Sequence, residues 1–324
     1  MRKLAQLVRR SVWLSAAYYL QDDWRCARRL ARGRLETRSG RRHAALGLEE
    51  SLAYIDRVHR DYLRYAEVER FTGNLVEIGP GDNFGVALCL LADGAESVHA
   101  IDRYIPRREP ERQRRIYTAL AERPGFRALF ASAADEGTIK GLVYRPGMAA
   151  ERFFAGRGPS FDAVLSRAVL EHLADPLGAL DDMARALRPG GRLVHRIDLR
   201  DHGMFAGHHP LTFLTPPEAL YRRMSRASGR PNRVLYPAYR AWLALSGLEG
   251  TLRVSRLAGI ESEFEPVPLE ALEAAALSPA CATVRAIRPR LARPFRALTD
   301  AELAVSGLVL VARKTAHATA ASIS

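Results

Sequence analysis

Short apolar segments alternate with helical segments between Leu75 and Leu199, and no other feature of the sequence constrains the fold as strongly. The apolar segments are residues 75–78, 97–101, 141–145, 161–166 and 192–199. A strand, a helix and a second parallel strand together need about 30 residues or more, and the spacing allows this. The alternation therefore predicts an α/β fold with a doubly wound, mostly parallel sheet and helices on both faces.

The residues before the first of these strands are expected to be helical. Apolar side chains recur at helical spacing from Ser51 to Arg70. We therefore expect a helical N-terminal segment over residues 1–70, packed over the mouth of any ligand site in the sheet domain. The sheet domain itself is expected to cover residues 71–312, followed by a C-terminal tail over residues 313–324.

The alternation breaks after the fifth strand. Residues 201–250 are predicted to form a helical insertion, in which Thr215 to Glu218 has the pattern of a helix-capping box. Two later apolar segments, residues 251–257 and 305–312, are predicted strands. They bring the predicted sheet to seven strands.

Composition narrows the class of protein. The 324 residues have a mean hydropathy of −0.16 and no run of about 18 apolar residues, which argues against an integral membrane protein. The first twenty residues have no convincing cleavage site, so we expect no signal peptide. Three distant cysteines without a CxxC pair, Cys26, Cys89 and Cys281, predict neither a zinc site nor a disulfide framework, and a cytoplasmic location is expected.

Positive charge is concentrated at the N-terminus. The net charge is +13, and Met1 to Arg42 alone carries +9, from 12 basic and 3 acidic residues. Such an arm suits nucleic acid, an anionic membrane or an acidic partner. The chain is rich in arginine throughout, so we expect no nucleic-acid partner. A weak peripheral membrane contact remains an alternative, because Trp13 and Tyr18 lie near Arg9 and Arg10.

A glycine-rich turn follows the first predicted strand. Gly79 and Gly81 come just after Glu77, at the point where a helix is expected to start. Glycine allows a positive φ and leaves no Cβ between the backbone and a ligand. Asp102 lies 21 residues after Gly81, at the end of the second strand, where a carboxylate can bind both hydroxyls of a ribose. Together these features predict a ligand that contains adenosine.

The same residues distinguish between two kinds of adenosine ligand. The dinucleotide pattern G-x-G-x-x-G requires a glycine at position 84, which is Phe84. The carboxylate of Glu77 would repel a pyrophosphate but suits the ammonium and sulfonium groups of S-adenosylmethionine. An NAD-dependent oxidoreductase is therefore disfavoured.

These residues resemble the motifs of class I S-adenosylmethionine-dependent methyltransferases. Glu77-x-Gly79-x-Gly81 is similar to the first motif, and Asp102 to the ribose-binding acidic residue. Residues 161–172 are similar to the stretch around the fourth strand, and residues 188–193 to the turn that leads into the fifth. The resemblance implies a seven-stranded Rossmann-like fold and S-adenosyl-L-methionine as cofactor. It implies the following cofactor-binding residues: Glu77, Gly79, Pro80, Gly81, Asn83, Asp102, Arg103, Met148, Ala149 and Ser166.

Two positions depart from the family pattern. Asn83 stands where the first motif has its third glycine, and it can still cap a helix. No acidic residue follows the third strand to meet the adenine amino group. We therefore expect the backbone around Met148 and Ala149 to hold the adenine.

Candidate catalytic residues follow the fourth and fifth strands. His172, Asp201 and His202 are the predicted catalytic residues, with Asp201 orienting the ring of His202 as a base for a hydroxyl acceptor. The alternative is that His202, His208 and His209 lie on a solvated loop. Asp198, Asp201 and these histidines are also metal donors, but their spacing is not diagnostic and no metal is predicted.

The predicted reaction is methyl transfer to a small-molecule, lipid or glycan acceptor, with a hydroxyl as the nucleophile. Ser166 to Val169 replaces the Asn/Asp-Pro-Pro-Tyr tetrapeptide of many nucleic-acid amino methyltransferases, which argues against base methylation. The alternative is a non-catalytic sensor or complex subunit that binds the same cofactor. The insertion is expected to cover the acceptor pocket, with Arg233 reaching inward.

Overall fold

The computed structural model describes residues 11–37 and 40–315. Predictions for the basic start and for most of the tail fall on residues 1–10 and 316–324, outside this part of the chain. No helix in the described part is long and apolar enough to cross a membrane.

Seven strands form one large sheet. They are β2 (Gly73–Ile78), β3 (Ala95–Asp102), β5 (Leu142–Pro146), β6 (Phe161–Arg167), β7 (Leu187–Asp198), β8 (Glu249–Leu257) and β9 (Val305–Arg313). Their order is β5-β3-β2-β6-β7-β9-β8. The first five run parallel, and β9 is antiparallel to both of its neighbours. The predicted mostly parallel seven-stranded fold is confirmed.

Helices cover both faces of this sheet. They are α1 (Val12–Ala31), α2 (Leu48–Ala66), α3 (Gly85–Ala92), α4 (Pro110–Ala121), α5 (Ala150–Phe154), α6 (Pro176–Ala186), α7 (Glu218–Ser225), α8 (Tyr236–Leu245), α9 (Ala274–Ile287), α10 (Arg293–Arg296) and α11 (Asp300–Ala304). Two short strands, β1 (Glu36–Thr37) and β4 (Ile105–Pro106), pair in parallel beside the large sheet.

The apolar core is divided by the sheet into two layers. Successive side chains of a strand point to opposite faces, so each buried strand supplies both layers. On one face, Leu75, Ala163 and Val194 pack with apolar residues of α2, α3 and α4. On the other face, Val76 and Val164 pack with α5, α6 and the helices of the insertion. The carboxyl ends of the parallel strands are thereby held at one edge, where ligands bind in such folds.

The N-terminal helix α1 is attached to the insertion. The Asp23 carboxylate accepts hydrogen bonds from the backbone N–H groups of Ala227 (2.8 Å) and Ser228 (2.7 Å). The Tyr19 hydroxyl donates to the carbonyl of Met204 at 2.7 Å. Helix α1 therefore packs on the insertion, whereas α2 contacts α3 and α4.

One local prediction is wrong. The Thr215 hydroxyl donates to the Thr212 carbonyl at 2.8 Å, so it does not cap a helix, and α7 begins at Glu218 after Pro217. The Thr212 carbonyl holds the Thr215 hydroxyl in the turn before the helix. Helix α3 begins at Gly85, near Asn83, and Asn83 Oδ1 accepts from the Gly85 N–H at 2.6 Å.

Candidate active site

The glycine turn has the backbone conformation that its sequence requires. Gly79 and Gly81 both have φ of +72°. A Cβ on Gly79 would lie 2.6 Å from Val169 Cγ2, and one on Gly81 would lie 2.8 Å from the carbonyl oxygen of Gly40. The N–H of Gly79 donates to the Ile101 carbonyl at 2.8 Å, which ties the end of β2 to the end of β3. The turn and Asp102 are therefore neighbours.

Two carboxylates flank this turn, the buried Glu77 and the half-buried Asp102. Glu77 is 5% exposed, and burial raises its pKa to about 8. Its Oε2 has no hydrogen-bond partner among the residues that the structure describes. Burial also raises the pKa of Asp102 to about 6, against the hydrogen bond from the Tyr104 N–H (3.1 Å). A cationic group beside Glu77 would stabilise its charged form, as expected for a ligand that carries an ammonium or sulfonium.

A segment after α1 covers the turn. We call residues 34–37 and 40–45 the strap. Asp82 N–H donates to the Gly40 carbonyl (3.1 Å), and the Asp82 carboxylate accepts from the N–H groups of His43 (3.2 Å) and Ala44 (3.0 Å). Leu35 packs on Gly147, next to the predicted adenine region. The part of the N-terminal segment that contacts the turn is thus the strap, which ends in a 3-10 turn (His43–Ala45) and whose backbone is held by Asp82.

Three predicted cofactor residues have other partners. Asn83 accepts from Gly85 N–H and donates to Gln113 Oε1, both at 2.6 Å. Ser166 is fully buried, and its hydroxyl is hydrogen-bonded to His195 Nδ1 at 2.8 Å. The N–H of Met148 donates to the Asp102 carbonyl at 2.9 Å, so it is not presented to an adenine. The side chains of Asn83 and Ser166 and the N–H of Met148 are therefore engaged by protein groups.

The other predicted cofactor residues keep accessible positions. Pro80 is half-buried between the two glycines, and Ala149 is half-buried at the N-cap of α5. Arg103 follows Asp102 and lines a cavity of about 800 Å³. We call this the arginine cavity, because six of its lining residues are arginines: Arg103, Arg222, Arg223, Arg226, Arg230 and Arg233.

His172 lines the same cavity from the 3-10 turn that follows β6. Its Nδ1 is 2.8 Å from the Gly229 carbonyl, and a carbonyl only accepts, so Nδ1 carries the proton. The His202 ring is perpendicular to it, at a centroid distance of 4.8 Å. Burial, and then the neighbouring His202, lower the pKa of His172 to about 4. The ring is therefore neutral at pH 7, with a lone pair on Nε2.

The sequence predicts that Asp201 orients the His202 ring, but the carboxylates closest to that ring belong to other residues. Asp201 accepts from the N–H groups of Gly203 (3.0 Å) and Phe205 (2.8 Å), so it holds the turn instead of orienting the ring. His202 Nε2 lies 3.8 Å from both Glu171 Oε1 and Asp198 Oδ2. Burial would raise the pKa of Asp198, but hydrogen bonds from Arg200 and the nearby His202 lower it to about 2.

Glu171 is the residue that sequence reasoning missed. It is 1% exposed, and burial raises its pKa to about 8. The sequence feature that could have identified Glu171 is its position as a charged residue inside the mostly apolar run Val169-Leu170-Glu171-His172-Leu173. In such a run a buried acid is unusual and needs a partner.

Arg233 does reach inward, as expected, and its partners are protein groups. Its Nη1 donates to the carbonyls of Pro216 (2.7 Å) and Phe213 (3.3 Å), and it forms an ion pair with Glu218. The guanidinium also lies 4.3 Å from the centre of the Tyr221 ring. Arg233 therefore holds the insertion together at the wall of the arginine cavity.

Comparison with known proteins gives partial matches. A ubiquinone biosynthesis O-methyltransferase of Parvibaculum lavamentivorans is 38% identical over 76 residues, covering 24% of this chain and 28% of the relative. A protein of the same name from Caulobacter sp. K31 is 44% identical over 62 residues, 19% of this chain and 23% of the relative. The matches span about a quarter of the length of these curated relatives.

Solved structures also align with the chain. The Haemonchus contortus phosphoethanolamine N-methyltransferase 2 complex with S-adenosyl-L-methionine covers 79% of this chain and 52% of that chain, at 14% identity and a TM-score of 0.42. A putative sarcosine dimethylglycine methyltransferase from Galdieria sulphuraria covers 93% and 98%, at 14% identity and a TM-score of 0.43.

A family model described as a methyltransferase domain matches residues 49–243, which is more than half of the chain. The match includes the glycine turn, Asp102 and the turn that carries His172. The chain belongs to the class I S-adenosylmethionine-dependent methyltransferase family.

Proposed function

We propose that the protein transfers the methyl group of S-adenosyl-L-methionine to a hydroxyl group. The acceptor is a small molecule, a lipid or a glycan. The observation that carries this proposal is the position of the arginine cavity. It is lined by Arg103, which follows Asp102, and by His172. It therefore extends from the residue that follows the expected ribose-binding carboxylate to one histidine of the pair.

The residues beside the glycine turn suit the cofactor. The buried Oε2 of Glu77, which has no hydrogen-bond partner among the described residues, is available to a cationic methionine moiety. Asp102 offers carboxylate oxygens to the ribose, and the absence of a Cβ on Gly79 and Gly81 lets a ligand approach the backbone. When bound, the cofactor supplies an electrophilic methyl group. The protein's main contribution is then to align acceptor oxygen, methyl carbon and sulfur, which contributes about 7–11 kcal/mol.

The acceptor is expected to carry an anionic group. Six arginines line the cavity, and among them Arg222, Arg223 and Arg226 are exposed, so a carboxylate or phosphate can reach their guanidinium groups. Tyr221 and Phe295 add apolar wall. The partial likeness to two O-methyltransferases supports a hydroxyl as the nucleophile.

The histidine pair is placed to accept the proton of this hydroxyl. His172 is neutral with its Nε2 lone pair available, and His202 lies against it. Asp201 acts as a positioning residue, because it fixes the turn that carries His202.

Two measurements test the proposal. Calorimetry with S-adenosyl-L-methionine should show binding at one site, and purified protein supplied with hydroxylated carboxylic acids and phosphates should release S-adenosylhomocysteine. Binding without release from any acceptor class would favour the non-catalytic sensor. No binding at hundreds of micromolar would overturn the cofactor assignment as well.

A further inference from the structure

Three metal-ligating side chains meet at the carboxyl ends of β6 and β7. Glu171 and His172 are adjacent in the turn after β6, and His202 lies four residues after the end of β7. One ligand atom from each of the three lies within 4.8 Å of the others. Metal bonds of about 2.0–2.2 Å need only small inward movements from this arrangement.

The carboxylate of Glu171 is buried, and His202 Nε2 lies 3.8 Å from its Oε1, beyond hydrogen-bond distance. Both of its oxygens lack a hydrogen-bond partner within the described part of the chain, and the side chain is 1% exposed. Removing a carboxylate from water costs several kcal/mol unless a partner replaces the lost hydration. A cation between Glu171 and the two imidazoles would be such a partner.

The turn is already ordered for this role. Asn232 Nδ2 donates to the carbonyls of Leu170 (2.9 Å) and Leu173 (3.0 Å), on either side of Glu171 and His172. The Gly229 carbonyl holds His172 Nδ1–H at 2.8 Å. A backbone carbonyl on the second ring nitrogen is the usual outer contact of a metal-bound histidine, because it fixes the tautomer that leaves Nε2 free.

We propose that Glu171, His172 and His202 form a binding site for a divalent transition-metal cation, with Zn²⁺ as the reference ion. Two imidazoles and one carboxylate are the donor set of open catalytic zinc sites and of related first-row metal sites, which leave positions for water or substrate. His172 lines the arginine cavity, so a cation held by these three side chains would lie at the edge of that cavity.

A catalytic role of the cation rests on the proposed methyl transfer. The binding of the cation does not depend on that reaction. The acceptor hydroxyl would bind the cation and lose its proton to solvent, because a bound cation lowers the pKa of a coordinated oxygen acid. The oxygen then forms a bond to the methyl carbon while the carbon–sulfur bond breaks and its electron pair stays on sulfur. With the cation bound, the two histidines hold the metal and solvent takes the proton, so this inference replaces the base role proposed above for the pair.

Metal binding is tested directly on the full chain after removal of metals by a chelator. Calorimetry with Zn²⁺ should give one site in the native protein. Glu171→Gln, which keeps the side-chain volume, and His202→Ala, at a surface position, should each weaken binding by at least about tenfold. His208→Ala, in the same insertion but outside the cluster, is the matched control and should bind as the native protein does.

Circular dichroism of each variant establishes that it is folded. Equal Zn²⁺ affinity in the native protein, Glu171→Gln and His202→Ala would overturn the site, as would the absence of binding by the native protein. Measurements of turnover test the role of the cation apart from its binding. Loss of turnover with chelator and its recovery with added cation would support a catalytic role of the cation. Full turnover with chelator overturns that role and leaves the proposed methyl transfer standing.

Discussion

Glu77 is buried without a full set of partners, and this has a consequence for stability. Its pKa rises from 4.5 to about 8 on burial, so the folded protein keeps a proton that the unfolded chain has released between these values. The contribution of Glu77 to the free energy of unfolding therefore falls as pH rises from about 4.5 to 8 and is constant above that.

We predict that Glu77→Gln removes this pH dependence. The melting temperature of the variant minus that of the native protein should increase between pH 5 and pH 8.5, by several degrees, because about 1 kcal/mol corresponds to about 2–4 °C in a domain of this size. Differential scanning calorimetry without ligand at several pH values measures it. A constant difference across this range would mean that Glu77 is ionised in the folded protein.

Asp102 is expected to bind the ribose of the cofactor. Asp102→Ala should weaken S-adenosyl-L-methionine binding by about 1.5–3 kcal/mol per lost charge-assisted hydrogen bond, which is roughly 10- to 150-fold. Calorimetry measures the affinity, and Asp182→Ala, which removes a half-buried carboxylate paired with Arg185, is the control. An unchanged affinity in Asp102→Ala would remove this residue from the site.

Arg233 shows how a residue with a predicted ligand role can be structural. Its guanidinium binds two carbonyls and Glu218, so Arg233→Ala leaves the Pro216 and Phe213 carbonyls without these donors. We predict a loss of about 1–3 kcal/mol in the free energy of unfolding. Urea denaturation checks this against Arg222→Ala, an exposed arginine of the same cavity. Equal stability of both variants would contradict the structural role.

At the scale of elements, α1 has an exposed apolar stretch. Trp13, Leu14, Tyr18 and Trp24 are between 46% and 66% exposed, although α1 packs on the insertion through its other side. Arg25, Arg28 and Arg32 extend the exposed side with positive charge. An amphipathic helix with aromatic residues and arginines suits the interface of an anionic bilayer.

We predict that α1 binds vesicles that contain an anionic phospholipid. Replacing both Trp13 and Trp24 with alanine should lower the vesicle partition coefficient by at least about tenfold, since each buried aromatic side chain contributes about 1.5–3 kcal/mol. Sedimentation with phosphatidylcholine–phosphatidylglycerol vesicles measures this. Leu245→Ala, at an 86% exposed apolar residue far along the chain, is the control. Equal binding of all three proteins would rule out α1 as the contact.

The elements themselves were largely predictable, and their ends were less so. The seven strands lie at the predicted segments because apolar runs and glycine-rich turns are properties of a short stretch of chain. The start of α7 was not predictable from Thr215 to Glu218, because the Thr215 hydroxyl has the Thr212 carbonyl as its partner. That partner exists only once the preceding 3-10 turn (Thr212–Leu214) has formed.

At the scale of the whole molecule, the sheet order determines where the site lies. The chain leaves β2 toward β3 on one side, and later returns to place β6 on the other side of β2. The point between β2 and β6 is the topological switch point at which ligands bind in open α/β sheets. The glycine turn after β2 and the turn with Glu171 and His172 after β6 therefore lie next to each other, and Gly79 contacts Val169 across this point.

The sequence alone determined the fold class, the glycine turn and Asp102, because these depend on side-chain periodicity, on the positive φ of glycine and on the position of a strand end. Only the tertiary structure decided which polar groups meet. It brought Glu171 close to His202 and Ser166 into contact with His195. It also placed backbone N–H groups of the strap within hydrogen-bond distance of the Asp82 carboxylate. Contacts between residues this far apart in sequence depend on how helices and strands pack, and local sequence patterns do not predict them.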